Sequence, residues 1–192
     1  MPSLRDFFHQ ADIWRKIFMD YLVLIQHGFV YGLILSALFT LVLLGAVWVN
    51  VEIMQNDYPP DVKKAYGPEK NPRTRGQRRV FSLLFLVVLF GVLCYSMVDL
   101  GRSTSAPLTF LPLFALVFIE IFTFNLWDLL VIDWLIFNTL QPKFIFLPGT
   151  EGMKGYKDYY FHFKGFLTGI VFSLISALIL SGIALIFINI PK

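Results

Sequence analysis

Cysteine is nearly absent: Cys94 is the one thiol in 192 residues, so the chain has no intrachain disulfide framework and no paired-thiol redox site. Cys94 falls inside an apolar run and reads as a packing residue, because apolar surroundings keep a thiol protonated and inert. Histidine is scarce as well, with His9, His27 and His162 the full set. No His-x-x-x-His helix pair and no cysteine pair exists, so a zinc ligand set is not expected, and neither is any other metal or cofactor. Charged residues are only 15% of the chain and sum to a net +3, too small and too segregated a balance for nucleic-acid binding. There is no phosphate loop, nucleophile elbow or dinucleotide fingerprint. The segment MPSLRDFFHQADIWRKIFMDYL mixes Asp and Arg with aromatics and lacks a basic region, an apolar stretch and a small-residue cleavage site. It does not read as a secretory signal, so the first long apolar run is expected to act as the targeting signal.

What is abundant is apolar surface: 57% hydrophobic residues and 17% aromatics, well above a soluble domain's share. Gly28 to Val49 and Gly165 to Ile190 are uncharged runs that exceed the roughly 20 residues needed to cross a hydrocarbon core, and Val80 to Val98 just reaches that length. The fold class implied is an all-α integral membrane protein, a four-span transmembrane helix bundle with an N-terminal interfacial amphipathic helix. Residues 4–26 carry Leu4, Phe7, Phe8, Ala11, Ile13, Trp14, Ile17, Phe18 and Leu22 among charges, an approximate helical stripe suited to a membrane surface and able to run on into the first span. Span one is expected at 27–50, span two at 79–99, span three at 108–130 with an extension to 140, and span four at 165–190. Pro107 to Leu140 as one α-helix would be about 51 Å long, so it must tilt, kink or leave the hydrocarbon. The connector 51–78, with Pro59, Pro60, Pro68 and Pro72, reads as a polar loop without a core of its own. The connector 141–164 reads as an interfacial loop with an aromatic belt.

Orientation follows from the basic residues. Lys63, Lys64, Lys70, Arg73, Arg75, Arg78 and Arg79 flank or fill the first connector, and Lys143, Lys154, Lys157 and Lys164 the second, leaving Arg5, Arg15, Lys16, Arg102 and Lys192 for the other side. The positive-inside rule then places both connectors in the cytoplasm and both termini outside, in a plasma or inner membrane.

Helix association in lipid relies on small residues that allow close approach. Gly28, Gly32, Ser36 and Thr40 step by four along span one, and Gly165, Gly169, Ser173, Ala177 and Ser181 do so along span four. These two helices are expected to pack with each other or across a dimer axis. GFVYGLILS from Gly28 and GFLTGIVFS from Gly165 share both glycines, the phenylalanine and the serine, and each follows an Asp-Tyr pair. An inverted repeat is one explanation; independent close-packing ladders are the other.

Ionisable groups at membrane depth are costly and mark function by default. Glu120 lies near the middle of span three, and on a helical wheel Asn125 and Asp128 fall about 140° and 80° from it, on one broad face. They are candidates for an ion or proton site; the alternative for Glu120 is a protonated acid that holds the bundle or a subunit contact. Asp133 is expected to point elsewhere and to pair with a loop cation such as Lys143. His27 and His162 belong to opposite ends in this topology, which excludes a haem held between them, and each is expected to be isolated. In the second connector Glu151, Lys154, Lys157, His162 and Lys164 are candidates for a lipid headgroup or phosphate, with Glu151 or His162 as acid or base and the loop glycines allowing close backbone approach. The alternative is a basic, aromatic anchor.

Three functions are compatible with these residues. The first, favoured by the ladders and the lack of a reaction motif, is a small non-catalytic subunit or accessory module of a membrane complex, whose partners are the bilayer and other membrane subunits or its own copies. The second is a small oligomeric transporter or channel for protons or cations using Glu120. The third is a membrane-embedded enzyme acting on a lipid at the cytoplasmic face.

Overall fold

A computed structural model describes the backbone of residues 4–104 and 108–188, and the side chains of residues 19–104 and 108–187. Helix α1 spans Leu4–Val49, α2 Pro60–Tyr66, α3 Thr74–Ser103, α4 Phe110–Trp127 and α5 Tyr159–Ile188, with no strand among the described residues. Four stretches are long and apolar enough to cross a membrane: Met19–Val49, Thr74–Ser103, Phe110–Leu140 and Tyr159–Phe187. The apolar stripe expected on residues 4–18 lies outside the described side chains. Its backbone continues into the first span without a break, since nothing from Leu4 to Val49 supplies a proline to interrupt the hydrogen-bond ladder.

Helix α4 is the centre of the bundle. It buries Leu113, Leu116, Val117, Glu120 and Thr123, and α1 and α5 pack on it from different sides while α3 packs mainly on α1. The outward faces of α3 and α5 are apolar, with Val80, Leu83, Val87 and Phe90 on one and Val171, Phe172, Leu178 and Ile179 on the other all exposed. Such surface suits hydrocarbon and not water.

The two small-residue ladders do not meet each other; both face α4. A Cβ on Gly28 would lie 2.8 Å from Ile119 Cγ2 and one on Gly32 2.6 Å from Thr123 Cβ, while one on Gly169 would overlap the Asn125 amide. Ser36, Ser173, Ala177 and Ser181 are fully buried. Their hydroxyls are satisfied within their own helices, Ser36 donating to Gly32 O at 2.7 Å and Ser181 to Ala177 O at 2.6 Å, as serine does at this spacing. Thr40 donates to Ser36 O and receives the Trp127 indole N–H. Gly165 faces open space. Pairing between the ladders fails because the broad residues of α4 fill the groove that each one offers.

The third span is one helix that changes its winding. From Asp128 to Leu140 it is a π-helix, whose hydrogen bonds close five residues apart and which therefore takes more residues per turn than an α-helix. Gln141 N donates to Ile136 O at 2.9 Å and Thr139 Oγ1 to Trp134 O at 2.6 Å, both five-residue closures. Gln141 then adopts φ 48°, a left-handed stop that a following Pro142 makes final. No kink is needed to shorten the segment.

The connectors form a folded cap with a core, which corrects the expectation of a coreless loop. Tyr58, Val62 and Tyr66 of the first connector bury against Leu147 and Tyr156 of the second, so both lie at the same end of the bundle. Asp61 Oδ2 accepts from Gly155 N at 3.0 Å: the glycine lets backbone approach a carboxylate of the chain itself. Glu52 holds the first connector. Its carboxylate accepts from Lys70 N at 2.9 Å, Asn71 N at 3.0 Å, Thr74 Oγ1 at 2.6 Å and the Tyr66 hydroxyl. Burial works against its charge, but those four donors win and hold its pKa at about 2. The same pairing, added to burial, pushes the Tyr66 hydroxyl up to about 12. Arg78 closes the turn, donating to Ile53 O and Glu52 O and pairing with Glu69 at 2.7 Å.

Candidate functional site

At the cap end a cavity lies between α1, the third span and α5. The π-helix forms its floor, and Met54 to Tyr58 with Phe144 and Ile145 its roof. The resulting cavity has a volume of about 620 Å³, in the size range of small-molecule pockets. Its walls are Phe39, Leu43, Leu44 and Val47 of α1, Leu129, Ile132, Ile136 and Phe137 of the π-helix, and Phe161 and Phe166 of α5. Phe39 sits ten residues before the end of α1, so the cavity reaches about 15 Å down the bundle.

Polar groups gather at one part of this apolar chamber: Asp57, Asp128, Asp133, Asn125, His162 and Lys164 all line it. The winding of the floor explains two of them. On an α-helix Asp128 and Asp133 would diverge, whereas the wider turn of a π-helix brings residues five apart onto one face. Asp133 thus turns inward and meets His162, Nδ1 to Oδ1 at 2.9 Å, and is not the partner of Lys143. His162 is buried and its Nε2 has no hydrogen-bond partner; the rings of Phe137 and Phe161 lie 5.0 and 5.2 Å from its own. Because a carboxylate only accepts, Nδ1 carries the hydrogen of this contact, and Nε2 meets no partner. Asp57 reaches solvent at the mouth but is walled by protein. That partial burial raises its pKa above the ordinary carboxylate value, with Lys63 opposing and Asp133 adding to the rise. Tyr58 donates its hydroxyl hydrogen to Ile145 O, and burial raises the pKa of that hydroxyl.

The candidates named from sequence divide sharply. Asn125 and Asp128 reach the cavity, and so do His162 and Lys164; Glu151, Lys154 and Lys157 are exposed on the outer surface of the cap. Gly149 and Gly152 serve turns at φ 83° and 79°. Glu120 lies deeper than the cavity, fully buried, with neither carboxylate oxygen hydrogen-bonded. Asn125 stands between them, donating to Phe166 O at 3.0 Å. Among the described residues no group of three or more His, Cys, Asp or Glu has the geometry to hold a metal.

Two residue sets were missed. Asp57 and Asp133 belong to the cavity, and only the register of the π-helix reveals the second. At the opposite end of the bundle His27 is not isolated: its Nε2 meets Asp99 Oδ2 at 3.1 Å, its Nδ1 meets Val23 O at 3.0 Å, and Tyr31 donates to the same Asp99 oxygen at 2.9 Å. A signal for the cap was present, however: Tyr58, Val62 and Tyr66 recur every four residues, the spacing of one helix face. No protein-family model, curated protein or solved structure matches the chain.

Proposed function

We propose that the protein is a non-catalytic module inserted in the membrane, with its connectors in the cytoplasm, whose cavity takes up an amphiphile carrying a cationic amine head. The observation that supports this reading is the pairing of three carboxylates with six aromatic rings in one apolar chamber: Asp57, Asp128 and Asp133 beside Phe39, Tyr58, Phe137, Phe144, Phe161 and Phe166. Carboxylates supply charge to an ammonium group and aromatic faces attract it further. Apolar walls between α1 and α5 suit an acyl or alkyl chain arriving from the bilayer, where the amphiphile already resides.

Binding is favoured over covalent chemistry by what surrounds His162. A His–Asp pair activates a nucleophile only if one lies within hydrogen-bond reach of the free nitrogen. Here Nε2 has no partner, and the Tyr58 hydroxyl is engaged with Ile145 O. His162 is then a positioning group for the wall and for Asp133.

The test is binding of a fluorescent alkylammonium to the purified protein in lipid nanodiscs, against alkyl phosphate and alkyl alcohol of equal chain length. Saturable binding of the ammonium alone is expected, weakened about tenfold or more by Asp128→Asn. Equal binding of all three amphiphiles, or none of the ammonium, would overturn the reading.

A further inference from the structure

We propose that Glu120 is an exchangeable proton site inside the bundle, reached from the end opposite the cap by way of His27, Asp99 and Tyr31. This goes beyond the cavity and does not depend on what the cavity holds.

Glu120 is fully buried and both its carboxylate oxygens lack a partner. Ser96 of α3 faces Glu120 and gives its hydroxyl hydrogen to Leu93 O at 2.9 Å. A carboxylate without a donor is among the costliest groups to place at membrane depth, and a proton is what removes that cost. The neighbouring elements offer few charges. From α5, nothing beyond Lys164 titrates; from α1, nothing after Tyr31; from α3 after Arg79, only Cys94, Tyr95, Asp99 and Arg102. Toward the cap, Asn125 is bound to Phe166 O and separates Glu120 from Asp128 and the cavity.

On the other side the spacing is short. Gly32 packs on the turn of Glu120, where a Cβ would lie 3.0 Å from Glu120 O, and Tyr31 precedes it. Asp99 follows Ser96 by three residues, a rise of about 4.5 Å. Tyr31 in turn donates to Asp99 Oδ2 at 2.9 Å. The His27–Asp99 pair is built to hold a proton. Val23 O can only accept, so Nδ1 must carry hydrogen, and the 3.1 Å line from Nε2 to Asp99 Oδ2 then needs one proton between them, on either atom. The step balances simply: one proton leaves this pair, the Glu120 carboxylate takes it up, and the pair regains one from water.

Infrared spectroscopy of the full chain in lipid nanodiscs tests this, reading the carbonyl stretch of a protonated carboxyl that Glu120→Gln removes, during exchange from H₂O to D₂O. Circular dichroism melting confirms that each variant remains folded. The expected result is a band that shifts in D₂O, with exchange slowed about tenfold or more by His27→Gln and by Tyr31→Phe but not by His162→Gln. A band that never exchanges would identify a sealed structural acid, an absent band would mean an ionised Glu120, and slowing by His162→Gln in place of His27→Gln would put access at the cavity end. Each of these overturns the proposal.

Discussion

His27–Asp99 and His162–Asp133 are the same pair of residue types at nearly the same separation, 3.1 and 2.9 Å, held at opposite ends of one bundle. They are built differently. His27 has a partner on both ring nitrogens, and the same Asp99 oxygen that meets it also receives Tyr31. His162 has a partner on one nitrogen only, beside a chamber lined by two further carboxylates. The cause lies in the surrounding chain. At the His27 end, the partners of the pair among the described residues come from α1, Val23 O and the Tyr31 hydroxyl. At the His162 end two connectors fold into a cap that roofs a space the helices leave open. A His–Asp pair is therefore common to both ends, and the cavity described above lies at the end where the connectors have a core.

The largest test of this contrast is to remove the cap's anchor. Glu52→Ala leaves two amides and two hydroxyls in the cap without their acceptor and should cost about 3 to 5 kcal/mol in the cap. Hydrogen exchange should reveal the loss in residues 51–73 and 141–158 while α1 near His27 stays protected. Loss of protection at both ends alike would show that the cap is not a separate unit.

Acid should produce the same separation. The folded pKa of Glu52 is about 2, below its ordinary 4.5. A depressed carboxylate pKa stabilises the fold fully above the ordinary value, and that contribution is lost as pH falls toward the folded value. Cap protection is expected to decline between about pH 4.5 and about pH 2, and in Glu52→Gln this decline should be much reduced.

A smaller effect, of order 1 to 3 kcal/mol, is expected from Gly32→Ala and Gly169→Ala, because each new methyl meets α4 where the packed structure must shift. Thermal unfolding in detergent reads both. Gly169→Ala should also disturb the cavity, since it displaces Asn125, while Gly32→Ala should not. The smallest effect has the opposite sign: Gly165 lines the cavity with nothing within 4 Å of an added Cβ, so Gly165→Ala should raise stability by up to about 1 kcal/mol through helix propensity. Destabilisation there would mean that a partner packs on Gly165.

How much of this was legible in the chain depended on the range of the interaction. The four apolar stretches and the breaks at Pro59, Pro60, Pro142 and Pro148 follow from local composition, and so does the common side of the two connectors once four spans are counted. The ladders on α1 and α5 were visible as close-packing surfaces, but their shared partner was not, because a stripe of small residues states that something approaches closely without stating what. Asp133 was misplaced for a definite reason: its direction was projected on a period of 3.6 residues, and the chain there winds more widely. His27 and Asp99 stand 72 positions apart, and no periodicity connects them.

Sequence by itself determined that the chain forms helices long and apolar enough to cross a membrane, that few ionisable groups lie within them, and that Glu120 is the one placed deepest. Those are properties of residues counted one after another, fixed by hydrophobicity and backbone hydrogen bonding. Only the tertiary structure decided that α4 is the centre, that the connectors form a cap, and that Asp57, Asp128, Asp133 and His162 line one cavity. Each of these depends on the register in which distant segments meet, and a π-helix shifts that register by an amount that side-chain identity alone does not encode.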